Sequence, residues 1–61
     1  MSRTYCIRRL LEHGELTWGD LMAITGWTFN QLKSAMEKLM ESGKVSKQSI
    51  GPHRNIYKLA A

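Results

Sequence analysis

The chain has 61 residues, a formal net charge of +4 and an isoelectric point near 9.7. A chain of this length allows one small domain, which buries only about 60% of the surface that the unfolded chain exposes, and it excludes a second module. Nine lysines and arginines against five acidic residues favour either a polyanionic partner or simply a soluble basic protein.

Cysteine content and hydropathy bear on the compartment. Cys6 is the single cysteine, so no internal disulfide can form, which suits a reducing cytosol. The N-terminus lacks an apolar signal run, and no apolar stretch approaches the roughly 18 residues that a membrane-spanning helix needs. We therefore expect a cytoplasmic protein without a membrane partner, with residues 1–61 forming a single domain.

A first helix is predicted between about Thr4 and His13, where apolar residues repeat at helical spacing. Gly14 follows as the expected left-handed stop. Glu15 and Leu16 then form a brief extended link, with Leu16 pointing inward. The apolar stripe of the first helix consists of Cys6, Ile7, Leu10 and Leu11.

A second, short helix is expected to begin at Trp18, because Thr17 and Asp20 have the spacing of a capping box. It should end at Thr25-Gly26, where glycine permits the positive φ of a tight turn. Its expected inner face consists of Leu21, Met22 and Ile24.

The long helix is expected over residues 28–42, with Thr28 and Gln31 as a second capping box and Gly43 as its stop. At about 100° per residue, one arc is apolar and should face the core. That arc consists of Phe29, Leu32, Ala35, Met36, Leu39 and Met40. The opposite arc carries amide, hydroxyl and ammonium groups first, at Asn30, Gln31, Lys33, Ser34 and Lys38, and acids only later, at Glu37 and Glu41. Such groups hydrogen-bond base edges and phosphates, although a solvated helix face would also be polar.

An antiparallel hairpin is predicted at the C-terminal end. Residues 44–48 and 56–59 are short β-type runs, with Val45, Tyr57 and Leu59 as the inward positions. Residues 49–55 contain Gly-Pro and Asn, so we expect a loose, polar and basic tip. Every charged side chain after Glu41 is basic.

The order helix, short strand, helix, turn, helix and hairpin resembles the small winged helix-turn-helix transcription regulators of bacteria and phages. In ITGWTFNQLKSAMEKLMESGKVSK, an apolar residue, a turn glycine and an apolar anchor precede the cap Thr28. Apolar residues follow four, eight and eleven positions later, at Leu32, Met36 and Leu39, before Gly-x-Val leads into the first wing strand. Residues 55–59 are similar to the second wing strand of the family. The resemblance covers nearly all of the chain and implies an α+β winged helix-turn-helix fold of three helices with a C-terminal β-hairpin wing.

The resemblance also implies a sequence-specific duplex-DNA-binding protein that regulates transcription. The recognition helix, residues 28–42, would lie in the major groove, and the wing, residues 46–56, on the backbone or in the minor groove. The expected partner is double-stranded DNA, in a nucleoid-associated location, with a homodimer or a partner regulator as a further candidate.

Carried over residue by residue, the resemblance implies base-edge contacts from Asn30 and Ser34, with Gln31 and Lys33 as further candidates. Phosphate contacts would come from Thr28, Lys38 and the wing. At the wing tip Arg54 would enter the minor groove or follow the backbone, supported by Lys47, His53 and Asn55.

Three aromatic residues leave alternatives open. Phe29 occupies a position that is often polar and DNA-facing in the family. Since its helical position groups it with Met36, we expect it to be buried or half-buried, the alternative being a ring that touches a thymine methyl group. Trp18 and Trp27 are expected to be core anchors, the alternative being stacking platforms for single-stranded nucleic acid.

Catalytic and metal-binding patterns are missing from the sequence. Cys6 and His13 would lie about 10 Å apart along a helix axis, too far for a nucleophile and its base, and Cys6 is expected to be a small core residue. With His53 they lack metal-ligand spacing, and there is no glycine-rich phosphate loop. We expect no enzyme activity, no metal and no cofactor. The alternatives to a specific regulator are a winged-helix protein–protein interaction module or a nonspecific architectural DNA binder.

Overall fold

The structure is a computed structural model that describes residues 2–60. Within these residues lie three helices and one antiparallel three-stranded sheet, which confirms the predicted α+β class. In chain order the elements are α1 (Arg3–Leu11), β1 (Leu16–Thr17), α2 (Trp18–Thr25), α3 (Phe29–Glu41), β2 (Val45–Gly51) and β3 (Arg54–Leu59). None of the described helices is long and apolar enough to cross a membrane.

Helix α1 ends at Leu11, two residues before the predicted end at His13. The N–H groups of His13 and Gly14 donate to carbonyls only three residues back, each at 3.2 Å, so the chain tightens into turns instead of continuing the helix. Gly14 has a φ of +139°, which is positive but outside the left-handed helical region that was expected. This conformation is open to glycine and strained for other residues.

Helix α2 begins and ends where the sequence predicts. The Thr17 hydroxyl accepts a hydrogen bond from the Asp20 N–H at 3.1 Å, and the Asp20 carboxylate accepts one from the Thr17 N–H at 3.1 Å. Gly26 ends the helix with a φ of 68°, in the left-handed region. The tight turn between α2 and α3 therefore follows from local sequence.

Helix α3 has the second predicted capping box. The Thr28 hydroxyl accepts from the Gln31 N–H at 3.2 Å, and the Gln31 side-chain oxygen accepts from the Thr28 N–H at 3.0 Å. The helix ends at Glu41, and Gly43 follows with a φ of 73°. The Lys44 N–H then donates to the Leu39 carbonyl at 2.9 Å, which pairs one of the last carbonyls of the helix.

The sheet has the order β1-β3-β2, so β3 is central. Leu16 pairs with Tyr57 on one side of β3, and Val45 pairs with Leu59 on the other. The hairpin is longer than predicted, because strand pairing continues to Gly51 and Arg54 and includes most of the expected loop. The connection is Pro52-His53, and His53 has a φ of 60°. Proline followed by a residue with positive φ is the pattern of a type II turn, which replaces the expected loose tip.

The core lies between the helices and one face of the sheet. Its buried residues are Ile7, Leu11, Leu21, Leu32, Ala35, Met36, Leu39, Val45 and Tyr57. Leu10, Leu16, Trp18, Met22, Trp27 and Leu59 pack against them while partly exposed. The two tryptophans therefore anchor the core, as expected, but neither lies fully within it.

Three residues expected to face the core are only partly buried. Phe29 and Ile24 are each 55% exposed, and Met40 is 37% exposed. Phe29 and Met40 lie at the edge of the apolar arc of α3, next to the hairpin, which does not cover them. Ile24 follows the fully buried Leu21 by three residues and lies at the edge of the buried side of α2, near the end of the helix. Helical periodicity correctly locates the centre of each buried arc and overestimates its width.

Candidate nucleic-acid interface

Helix α3 has one open groove on each side. The α1-side groove runs between α3 and the start of α1, and the hairpin-side groove runs between α3 and the β2–β3 hairpin. The exposed residues of α3 divide into two rows accordingly. The α1-side groove is lined by Asn30, Gln31, Ser34 and Lys38, and the hairpin-side groove by Phe29, Lys33, Glu37 and Met40.

The α1-side groove has a mixed polar and apolar lining and carries positive charge at its rim. Its far wall consists of Ser2, Arg3, Thr4, Cys6 and Trp27. The Arg3 guanidinium lies over the Trp27 ring, 5.8 Å from its centroid, in cation–π geometry. This contact holds a positive charge opposite Lys38. The sequence did not indicate Arg3, because the approach of α1 to α3 is a tertiary contact without a local pattern.

Side-chain availability differs among the polar residues of α3. Asn30 and Ser34 are exposed, and neither side chain forms a hydrogen bond within residues 2–60. The Gln31 side-chain oxygen already accepts a hydrogen bond from the Thr28 N–H, so its NH₂ group and one remaining lone pair of the oxygen are available to a ligand. The Thr28 hydroxyl accepts from Gln31 and retains its own proton for donation. Asn30 and Ser34 are thus the better candidates for contacts with an incoming ligand.

The hairpin-side groove has an aromatic floor. The ring centroid of Trp18 lies 5.5 Å from that of Phe29 and 5.6 Å from that of Tyr57, and the ring planes are tilted in both pairs. Burial raises the pKa of the Tyr57 phenol above its ordinary value of 10.0, so the phenol is neutral at physiological pH. The Trp18 indole N–H is buried without a hydrogen-bond partner among the described residues. Packing therefore holds these rings in place.

The rim of the same groove is charged. Lys47 and Asn55 point from the sheet into the groove on the face that carries Tyr57, because Lys47 pairs with Tyr57 and the side chains of a strand alternate. Lys33 of α3 and His53 of the turn complete the rim together with Glu37. The ion pair described within residues 2–60 joins Arg9 to Glu12 on the exposed side of α1, so Lys33 and Lys47 are not paired with Glu37.

Eight of the ten predicted contact residues line the two grooves. They are Asn30, Gln31, Ser34 and Lys38 on the α1 side, and Lys33, Lys47, His53 and Asn55 on the hairpin side. Thr28 caps the start of α3, and Arg54 lies exposed at the outer end of the hairpin, where it pairs with Gly51. The fold thus gathers residues from α3 and the hairpin on one side of the molecule and adds Arg3 to them.

Within the described residues, no group of three or more histidine, cysteine, aspartate or glutamate side chains could hold a metal ion. Comparison of the chain with models of protein families, with curated proteins and with solved structures gives no match. An exposed polar helix between two basic-rimmed grooves is suited to a polyanion that has two charged strands.

Proposed function

We propose that the protein is a winged helix-turn-helix regulator of transcription that binds duplex DNA at specific sequences. Helix α3 would enter the major groove, and the β2–β3 hairpin would act as the wing. The observation that carries this proposal is the pair of grooves beside α3. A major groove about 12 Å wide admits an α-helix, and a phosphate strand then runs along each side of that helix. Two grooves with basic rims provide room and charge for those strands.

Each residue has a role in this arrangement. Asn30 and Ser34 have unoccupied hydrogen-bonding groups on the leading turns of α3, and they would contact base edges. The NH₂ group of Gln31 is a further candidate for the same edges, and Lys33 is a candidate for either a base edge or a phosphate of the strand beside the hairpin. The remaining residues would contact the phosphate backbone, with Arg54 as a minor-groove candidate; they are Arg3, Thr28 and Lys38 for one strand and Lys47, His53, Arg54 and Asn55 for the other.

The hydrogen bond between the Gln31 side chain and the Thr28 N–H affects which residue is free to contact a base. An asparagine that is free of internal hydrogen bonds can contact adenine with both its oxygen and its NH₂ group. The hydrogen bond to the Thr28 N–H holds the Gln31 side chain toward the start of the helix and occupies one lone pair of its oxygen, so Gln31 is less free to do so. Asn30 is therefore the residue on which sequence preference should depend most.

A protein-interaction module is the second candidate. The observation in its favour is the exposed apolar surface of Phe29 and Met40 in the hairpin-side groove. Two features argue against a protein-interaction module. The first two turns of α3 carry no acidic residue, and the lysines at the groove rim form no ion pair among the described residues. These features match a phosphate backbone better than a mixed protein surface.

The test is a salt titration of binding to a random duplex, followed by fluorescence anisotropy. Five cations on this side of the protein should displace about five counterions, so log K against log salt should have a slope of about −4.5. Selection of preferred duplexes from a random pool then separates specific recognition from architectural binding. A flat salt dependence would refute DNA binding, and a pool without a preferred sequence would refute specific recognition.

A further inference from the structure

Phe29 is a large aromatic residue exposed at the first position of α3. Its side chain is 55% exposed, whereas Leu32, the next apolar residue of the helix, is completely buried. An isolated exposed apolar side chain needs no explanation, but this one lies at the leading end of the proposed recognition helix. It is also the neighbour of Asn30, whose side chain has no partner within the described residues.

The Phe29 ring is supported on one side by Trp18. The ring packs at 5.5 Å against Trp18, which packs at 5.6 Å against the buried Tyr57. This row of rings connects Phe29 to the core and leaves its other side open to the hairpin-side groove. A ring supported in this way is pre-organised and loses little conformational entropy when a ligand covers it.

The chemistry of the major groove offers one apolar group to such a ring, which is the C5-methyl group of thymine. We propose that Phe29 determines sequence specificity by packing against a thymine methyl group under the first turn of α3. This inference rests on the proposed function and makes it more specific. Because Asn30 is suited to adenine and Phe29 to thymine, the first turn of α3 selects A·T base pairs.

Another use of Phe29 would be the docking of a protein partner. The groove that contains Phe29 also contains Lys33 and Lys47 at its rim, and among the described residues neither forms an ion pair with Glu37, the acidic residue of the same groove. An apolar surface edged by such cations matches the major groove, where methyl groups lie between two rows of phosphates. DNA is therefore the occupant that this surface favours.

The experiment begins with the duplex that wild-type protein selects from a random pool. Each thymine of this duplex is replaced in turn by deoxyuridine, which lacks only the methyl group. At one or two thymines, wild type should lose about fourfold in affinity, the value expected for one buried methyl group. Phe29→Ala should bind the thymine duplex more weakly and show no further loss on replacement of those thymines.

Two further variants serve as controls. Phe29→Gln keeps a side chain of comparable length over Trp18 and should also be insensitive to the methyl group. Met40→Ala, in the same row of α3 but about 16 Å further along the helix axis, should retain the fourfold loss of wild type. Thermal melts followed by circular dichroism establish that each variant is folded before binding is measured.

The outcomes are separable. A methyl effect in wild type that vanishes in both Phe29 variants and persists in Met40→Ala supports the proposal. If wild type is indifferent to every replacement, or if the Phe29 variants keep the full loss, Phe29 does not contact a thymine methyl group, while specific DNA binding stands. If the pool gives no preferred duplex, specific recognition and this inference are both refuted.

Discussion

Lys47 and Lys58 provide a matched test of the proposed interface, because they lie on opposite faces of the same hairpin. Lys47 pairs with Tyr57 and lines the hairpin-side groove. Lys58 follows Tyr57 in β3, so its side chain points to the other face of the sheet, and it lines neither groove beside α3. Replacement of either lysine by alanine removes one positive charge from a net charge of +4.

The expected magnitude follows from counterion release. With about five phosphates neutralised, by Arg3, Lys33, Lys38, Lys47 and Arg54, affinity for random duplex should fall about 500-fold between 50 and 200 mM salt. Lys47→Ala should reduce the slope from about −4.5 to about −3.6, so that the same change in salt lowers affinity about 150-fold. Lys58→Ala should leave the slope at about −4.5, because its charge lies away from the phosphates.

The assay is fluorescence anisotropy on one labelled duplex at four or five salt concentrations. Both lysines are exposed, so neither substitution should change stability by more than about 0.5 kcal/mol, and thermal melts provide that control. The ratio of affinities at two salt concentrations is compared within each variant, which cancels differences in active fraction. Equal slopes for Lys47→Ala and Lys58→Ala would mean that net charge, not this interface, attracts DNA.

Three other expected outcomes address the caps, the base contacts and the core. Asn30→Ala should weaken binding to a selected duplex by about 1 to 3 kcal/mol and leave random binding and its salt slope nearly unchanged; an unchanged ratio of the two affinities would exclude base contact by Asn30. Thr28→Ala removes the acceptor of the Gln31 N–H and should cost about 1 kcal/mol, a fall in Tm of about 4 to 8 °C, whereas Thr28→Ser should melt near wild type. Because burial raises the Tyr57 pKa above 10.0, its contribution to stability is complete below about pH 10 and is lost as pH rises through the folded pKa. The urea midpoint should therefore fall more steeply between pH 8 and 11 for wild type than for Tyr57→Phe. Parallel plots of midpoint against pH would contradict a raised Tyr57 pKa.

The features that the sequence predicts correctly are local ones. Both capping boxes connect residues three apart, and their hydrogen bonds form where the residue types and spacing indicate. Gly26 adopts the left-handed conformation that a tight turn requires. In each case the residues that determine the structure lie within one helical turn of the structure itself.

The features that were missed depend on contacts between distant segments. Residues 49–55 contain few strong strand formers, yet most of them pair, because the ladder that begins at Val45 and Leu59 continues to the turn. The exposure of Phe29 depends on how far the hairpin stands from α3, which helical periodicity does not specify. Arg3 reaches the interface only because α1 packs beside α3.

The distribution of charge along α3 determines how such a helix could enter a major groove. The first two turns carry Asn30, Gln31, Lys33 and Ser34 without an acid, and the helix N-terminus adds a partial positive charge. Glu37 and Glu41 lie on later turns and would be repelled by phosphates that came close to them. The favourable arrangement is therefore a tilted helix whose N-terminal end is deepest in the groove and whose C-terminal end stands away from the DNA. In that orientation Phe29 and Asn30, at the deepest point, would meet the base edges first, while Lys33 and Lys38 would remain near the flanking strands.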